Sequence, residues 1–576
     1  MSNKNKHVTK PLLRDIPTNW EELKHQVYVQ QVNELLLLKS GYFAKPTTGG
    51  LPLVTETESH TCDSSEESTT SKNNFGATTE VIEKEDEIEK KSGIKKFLTV
   101  DPKYWPIFTA GAGLFSDGYI NASIGTVSLC LNRIYGAAYG ESNAIQNVSS
   151  IAFAGTVVGQ LTFGYLADRY NRKFAMLLGT SLLILFSILC AGAWGVGTTG
   201  TNPGGLFEAI TVLRFFLGIA IGSEYSSSSP AAAEASYLLP EKKRNRYFIW
   251  FTNFMIDFGF VVAAFVPLVL VWICGEDHLT PVWRITIGLG ALPPLSLFFM
   301  RLKFKESERF KESKFQDHPP YWLVFKFYWF RTSVISILWF IYDFSAYSFG
   351  TFSALIIDSI IGGKPPLTKT LGWNVVFNLF YLPGAFCGAY FADYLGPRNT
   401  LSFFLVIQGI IGFIMAAELE HLKKHIGGFV VIYGIFTTLG EVSGGNNIGC
   451  IASKSNATPV KGQVYAISAA IGKVGAFVGS YIFPIVIKNA GGIDTTSGLQ
   501  APYWVSSSLC IFAATLSYFC LPALDPQSIL QEDVNFIEYL KSQGYDISKM
   551  GEANNIDEEV QVEKEIESEE ESTEIN

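Results

Sequence analysis

Seven ionisable side chains interrupt otherwise apolar stretches of the chain: Asp117, Arg214, Glu224, Asp257, Asp343, Glu441 and Lys473. Each costs at least about 2.5 to 3.5 kcal/mol at the centre of a bilayer, so each asks for a partner or a water-filled cavity. Five acids against two bases leave carboxylates in excess, and some of these must carry a proton part of the time, which favours proton coupling. Trp339, Asp343 and Tyr347 fall at i, i+4 and i+8 and share one helix face. An aromatic stripe at that spacing is packing on its own; the acid in its middle favours a cavity wall. Lys473 has two roles open to it, neutralising an acid or ligating an anionic substrate that becomes its counter-ion. Arg214 is open in the same way, since Glu224 lies almost three turns along the same helix.

The elements that must position these groups are apolar runs. They fall at 104–128, 145–167, 174–195, 205–228, 247–272 and 282–302, then after a basic connection at 333–357, 372–392, 400–418, 427–450, 462–487 and 502–521. Each is about the 20 residues needed to cross a hydrocarbon core. With 48% hydrophobic, 14% aromatic and only 17% charged residues, the 576-residue chain is a polytopic membrane protein rather than an ordinary soluble enzyme. The predicted fold is all-α, with twelve transmembrane helices in two pseudo-symmetric six-helix halves.

Gly164-Tyr-Leu-Ala-Asp168-Arg169-Tyr-Asn-Arg172-Lys173 forms a charged hinge between the second and third runs. A degraded copy, Ala389-Tyr-Phe-Ala-Asp393-Tyr-Leu-Gly-Pro-Arg398, recurs between the eighth and ninth runs, so the chain reads as a repeat. The same offset places Asp343 one residue from Asp117, as a central site at a repeat interface requires. Cations in the even-numbered turns put those turns and both termini in the cytoplasm. The organisation expected is a cytoplasmic N-terminal tail over 1–101, one half over 102–302, a linker over 303–332, the other half over 333–522 and an acidic cytoplasmic tail over 523–576. Gly218-xxx-Gly222 and Gly475-xxx-Gly479 read as close helix contacts. After Gly222, Glu224-Tyr225 precede Ser226 to Ser229 and Pro230, where the helix is expected to bend.

The formal charge of −9 comes from acids clustered in the tails, which read as solvated ends, and implies no basic partner. The eight cysteines form no CxxC pair and the seven histidines fall in tails or loops, which leaves no metal site. No Walker sequence is present, because Gly472-Lys473 lacks the upstream glycine, and no nucleophile elbow occurs, so neither ATP-driven transport nor membrane-enzyme chemistry has an anchor. No cofactor and no nucleic acid are expected.

The hinge Gly164-Tyr-Leu-Ala-Asp168-Arg169-xx-Arg172-Lys173 and its echo at Asp393 resemble the major facilitator superfamily. Within it the chain is similar to the phosphate:proton symporters, and closer still to fungal glycerophosphoinositol and glycerophosphodiester permeases. The stretches carrying this likeness are Ser116-Asp117-Gly118-Tyr119-Ile-Asn121, Gly222-Ser-Glu224-Tyr225, Trp339-xxx-Asp343-xxx-Tyr347, Gly472-Lys473-Val-Gly475 and Gln531-Glu-Asp533-Val-Asn-Phe536-Ile-Glu-Tyr539-Leu. The resemblance implies that Asp117, Glu224 and Asp343 handle protons, that Tyr225, Trp339, Tyr347 and Lys473 line the phosphate site, and that Asn253 supplies a polar ligand. Glu224 stands where phosphate porters have Asp, and Tyr394 and Pro397 replace cations of the second hinge.

Asp257, one turn after Asn253, is an extra acid that favours a cationic head group such as choline over neutral inositol. The function expected is proton-coupled symport of glycerophosphodiesters across the plasma membrane by a monomer whose partners are substrate, protons and bilayer. An inorganic phosphate symporter and a nutrient sensor binding the same ligand are the alternatives. Gly164, Asp168, Arg169, Arg172, Lys173, Asp393 and Arg398 are expected to act as a gate latch, with Asp168 outweighing Asp393.

Overall fold

In lipid a spanning segment must satisfy its backbone groups internally, and a helix does so along its whole length. The computed structural model of the protein describes residues 104–550, apart from 141, 201, 241–242, 363–364, 494, 522–523 and 525–527. The tail expected over 1–101 and the acidic run near the other end lie outside the described residues. Tyr104 and Trp105 belong to a separate unit, Ala44–Trp105; the residues from Pro106 onward are described below.

Numbering the long helices in chain order, α1 is Leu114–Tyr135. Then follow α2 (Ala144–Arg169), α3 (Arg172–Ala191), α4 (Leu206–Ser236), α5 (Arg244–Cys274), α6 (Leu279–Arg301), α7 (Tyr321–Ile361), α8 (Leu367–Tyr394), α9 (Pro397–Ala417), α10 (Ile426–Lys454), α11 (Thr458–Asn489) and α12 (Thr496–Cys520). The eleven helices α2 to α12 are each long and apolar enough to cross a membrane. Helix α1 has the length, 22 residues, but buries Asp117, Asn121, Ser123, Thr126 and Ser128, so its polarity faces the protein rather than lipid. Among the described residues there is no strand, only an isolated bridge between Phe315 and Met550.

Two boundaries differ from the apolar runs. The run expected from 104 is broken by a turn at residues 112–113, and the span itself starts at Leu114. Helix α7 extends over 41 residues, so the end of the basic connection is already helical. Amphipathic residues such as Tyr321, Trp322 and Lys326 lower the hydropathy there without stopping the helix.

Within the first half α2 packs on α4 and α1 on α5; within the second α7 packs on α11 and α9 on α12. The halves meet where α2 lies along α11 and α5 along α8. The glycine pairs make these approaches possible. A Cβ on Gly218 would stand 2.0 Å from the carbonyl oxygen of Ala152, and one on Gly475 would stand 2.3 Å from that of Phe340. Helices α4 and α10 each contain a five-residue π-helical turn, Glu224–Ser228 and Glu441–Gly445, at corresponding places in the two halves. The bend expected after Gly222 therefore takes the form of a widened turn, which recurs in the repeat and commonly marks functional sites.

A further helix, α13 (Ser528–Ser542), packs Phe536, Tyr539 and Leu540 against Phe315, Tyr328 and Val460. Asp533 accepts hydrogen bonds from the backbone N–H and hydroxyl of Thr458 at 2.6 and 2.8 Å, capping the start of α11. Glu532 pairs with Arg331 at 3.2 Å.

Candidate functional site: a polar cavity between the halves

Between the halves lies a cavity lined by α1, α4, α5, α7, α8, α10 and α11. A chain of hydrogen bonds crosses it. Asp117 of α1 accepts from Asn121 at 2.6 Å and from the Tyr225 hydroxyl of α4 at 2.5 Å. The Tyr225 and Tyr347 hydroxyls are 3.0 Å apart, and Tyr347 of α7 also reaches Asp117 at 3.3 Å. Lys473 of α11 donates to the Tyr347 hydroxyl at 2.5 Å and pairs with Asp343 of α7 at 3.2 Å. Its ammonium lies 3.8 Å from the centre of the Tyr347 ring and 4.6 Å from that of Tyr225. The α7 face therefore presents Trp339, Asp343 and Tyr347 to the cavity together. Trp339 is fixed edge-on against Tyr465 at 5.4 Å between ring centres.

A second polar cluster lies on α5 and α10. The Asn253 amide donates to Glu441 at 2.8 Å, to Asn446 at 3.0 Å and more weakly to Asp257 at 3.5 Å. Tyr342 donates to the other Glu441 oxygen at 2.7 Å. Asp257 lies against Glu441, and its Oδ1 has no hydrogen-bond partner among the described residues.

Two of the expected site residues are placed elsewhere. Arg214 lies near Tyr139 and Cys190 and does not line the cavity, because it projects from the far end of α4. Glu224 is also outside the cavity lining: Arg301 grips it with both terminal nitrogens at 2.6 Å, and Thr180 and Ser228 complete the cluster. The side chains of that pair are 0% and 1% exposed. Arg301 raises the number of bases within the spans above two. It escapes a reading of sequence because it ends α6 just before Lys303 and Lys305, where cations mark a membrane boundary.

The charged hinge joins the halves. Asp168 at the end of α2 accepts backbone N–H bonds from Gly462 at 3.1 Å and Gln463 at 2.8 Å, in the first turn of α11. A carboxylate there meets unsatisfied amides and the positive end of the helix dipole. Arg172 lies 3.8 Å from Asp168 and bonds Glu234, while Lys173 bonds the carbonyl of Leu302 at 2.6 Å. Arg169 holds the carbonyls of Gln316 and Asp317 at 2.9 and 3.1 Å. Gly164 permits the approach, since a Cβ there would stand 2.5 Å from that of Ala466. In the second copy Asp393 takes Arg246 of α5, and Arg398 reaches the Leu521 carbonyl at 3.4 Å. On the opposite face Arg133 and Asp358 join α1 to α7 at 3.0 Å.

Glu441, Tyr342, Asn446 and Arg246 are the functional candidates that sequence reasoning left without a role. The signal available for Glu441 is its place as an acid within an apolar run.

A model of the sugar (and other) transporter family matches residues 105–319 and 311–536. The major glycerophosphoinositol permease of Candida albicans is 54% identical over 459 residues, covering 78% of this chain and 84% of that protein. A glycerophosphocholine permease of the same yeast is 52% identical over 478 residues, covering 82% and 87%. A probable inorganic phosphate transporter of Arabidopsis thaliana is 26% identical over 483 residues, covering 71% and 91%. Among solved structures, the proton:xylose symporter XylE bound to 6-bromo-6-deoxy-D-glucose overlays with a TM-score of 0.62 at 15% identity, covering 75% of this chain and 98% of that one. These relatives are permeases and transporters, not enzymes, and XylE shares the overall fold of this chain. The chain is therefore a multi-pass membrane transporter of the major facilitator superfamily, belonging to the sugar (and other) transporter family and to its fungal glycerophosphodiester permease branch.

Proposed function

We propose that the protein is a proton-coupled symporter that imports glycerophosphodiesters across the plasma membrane by alternating access, as a monomer with its hinge face and both termini in the cytoplasm. The observation that carries this reading is Lys473, held at the joint between the halves by Asp343 and Tyr347. A phosphodiester is a monoanion with two free oxygens. It can displace the Asp343 carboxylate from the ammonium while the Tyr225 and Tyr347 hydroxyls donate to it.

The charge balance supplies the coupling. Asp117 and Asp343 with one lysine leave a net negative charge, and a bound phosphodiester adds another. A buried, uncompensated charge costs several kcal/mol. A proton on Asp343 cancels the charge that the diester brings and frees Lys473 for the substrate, so substrate and proton enter the cavity together. Glu224 has no part in this step, since its charge is already answered by Arg301. Release on the hinge face then requires the Asp168 and Asp393 contacts to part as the halves rock.

The test is uptake of labelled glycerophosphocholine and glycerophosphoinositol into proteoliposomes with an imposed pH gradient. Uphill accumulation abolished by a protonophore is expected. Binding without accumulation would instead identify a sensor. Accumulation of inorganic phosphate with which neither diester competes would identify a phosphate symporter.

A further inference from the structure

The cavity is bipolar. One end holds Lys473 between Asp343 and Tyr347. The other holds Asp257 and Glu441, and no base answers them: Lys473 is the one lysine or arginine among the described lining residues, and Asp343 occupies it. Glu441 is satisfied by Asn253 and Tyr342, at 2.8 and 2.7 Å. Asp257 is not. Its residue is 1% exposed, its Oδ1 has no hydrogen-bond partner among the described residues, its Oδ2 takes the Asn253 amide only at 3.5 Å, and its other polar neighbour is the acid Glu441. A carboxylate in such surroundings needs a cation or a proton, because removal from water without a partner is strongly unfavourable.

The surrounding walls suit a cation. Tyr342 and Tyr381 stand beside Glu441 and Asp257, and Phe260 lines the cavity with its ring edge to face with Tyr381 at 5.0 Å and with Tyr347 at 6.5 Å between centres. Aromatic faces attract substituted ammonium groups by about 0.5 to 2 kcal/mol, more when water is excluded.

We infer that Asp257, backed by Glu441 and the Tyr342, Tyr381 and Phe260 rings, forms a head-group subsite that takes a substituted ammonium, while the phosphodiester sits at Lys473. The inference rests on the reading of the protein as a glycerophosphodiester carrier and adds its preference among such diesters. A zwitterionic substrate neutralises both ends of the cavity at once. A diester with an uncharged polyol leaves Asp257 to be neutralised by a proton.

The experiment compares glycerophosphocholine with its 3,3-dimethylbutyl analogue, in which carbon replaces the ammonium nitrogen and shape is kept without charge. Both compete against labelled glycerophosphoinositol for uptake into proteoliposomes. The wild type is expected to prefer the charged competitor at least about tenfold. Asp257→Asn is expected to bring the two within about twofold. Equal competition in the wild type overturns the subsite and shows that Asp257 and Glu441 hold only a proton. A tenfold preference surviving in Asp257→Asn overturns it as well. Should Asp257→Asn not transport, the two competitors are compared by the thermal stabilisation they give the purified variant: equal shifts support the subsite and a retained preference refutes it. If the wild type accumulates no diester, the carrier reading fails and the subsite with it, an outcome distinct from accumulation without discrimination.

Discussion

Asp393 and Arg246 tie α8 to α5 across the two halves, with the carboxylate 3.0 Å from Nε of the arginine and accepting its backbone N–H at 3.2 Å. The hinge copy around Asp393 has lost two of its cations to Tyr394 and Pro397 and keeps only Arg398, so the sequence led to an unequal pair of latches. The structure gives the second latch a cation from the partner half. Asp168 grips amides at the start of α11 and Asp393 grips an amide near the start of α5, so each half holds a helix of the other by the same means.

Asp168→Asn and Asp393→Asn are therefore expected to slow cycling to a similar extent. Each loses a charge-assisted bond worth about 1.5 to 3 kcal/mol. Initial uptake rates in proteoliposomes check this, with substrate binding by thermal shift retained in both. A defect confined to Asp168→Asn would restore the unequal latch.

Lys473→Ala is expected to abolish uptake while the protein still reaches the membrane. Removing one partner of a buried pair costs about 3 to 5 kcal/mol, because Asp343 is then left alone at 2% exposure. Adding Asp343→Asn is expected to recover much of the stability and none of the transport, read by thermal unfolding and uptake on the same preparations. Near-normal uptake by Lys473→Ala would remove the lysine from the substrate site.

Glu224→Gln tests whether that acid carries protons. Its bidentate grip by Arg301 makes it a structural anchor of α4, α6 and α3 through Thr180. The variant is expected to lose stability, by about 3 to 5 kcal/mol, and any folded fraction to keep its dependence on the pH gradient. Folded Glu224→Gln protein that takes up substrate without a gradient would return the residue to the proton path.

Arg133→Ala on the face opposite the hinge is expected to change uptake by less than about fivefold. The pair with Asp358 is 28% and 24% exposed, and ion pairs in contact with water contribute about 0.2 to 1 kcal/mol. Uptake at low and high ionic strength measures the contribution, and a loss as deep as that of the hinge variants would contradict it.

The fold was legible in the sequence because apolar length and internal repetition are properties of the chain itself. So was the α7 face, because Trp339, Asp343 and Tyr347 follow helical spacing. What the sequence could not show is which flanking cations turn inward. Arg301 and Arg246 sit in basic boundary segments where the ordinary reading is a membrane-facing charge, and only the packing of distant helices decides that they meet Glu224 and Asp393. Arg214 fails in the opposite sense: an arginine within an apolar run asks for a role, and the depth at which it leaves α4 keeps it from the cavity. Asp257 and Glu441 lie far apart in sequence, and their meeting depends on how α5 approaches α10.

Helix α11 carries a second consequence. Asp168 seizes it at Gly462 and Gln463, Asp533 at Thr458, and about three turns further along it bears Lys473. At 1.5 Å per residue the foot and the lysine are roughly 16 Å apart on one stiff rod. Occupancy at the centre and closure at the membrane surface are thus two readings of the position of a single lever. No relay of intermediate side chains is needed to report one to the other, so a substitution between Gln463 and Lys473 that keeps the rod straight should leave them in step.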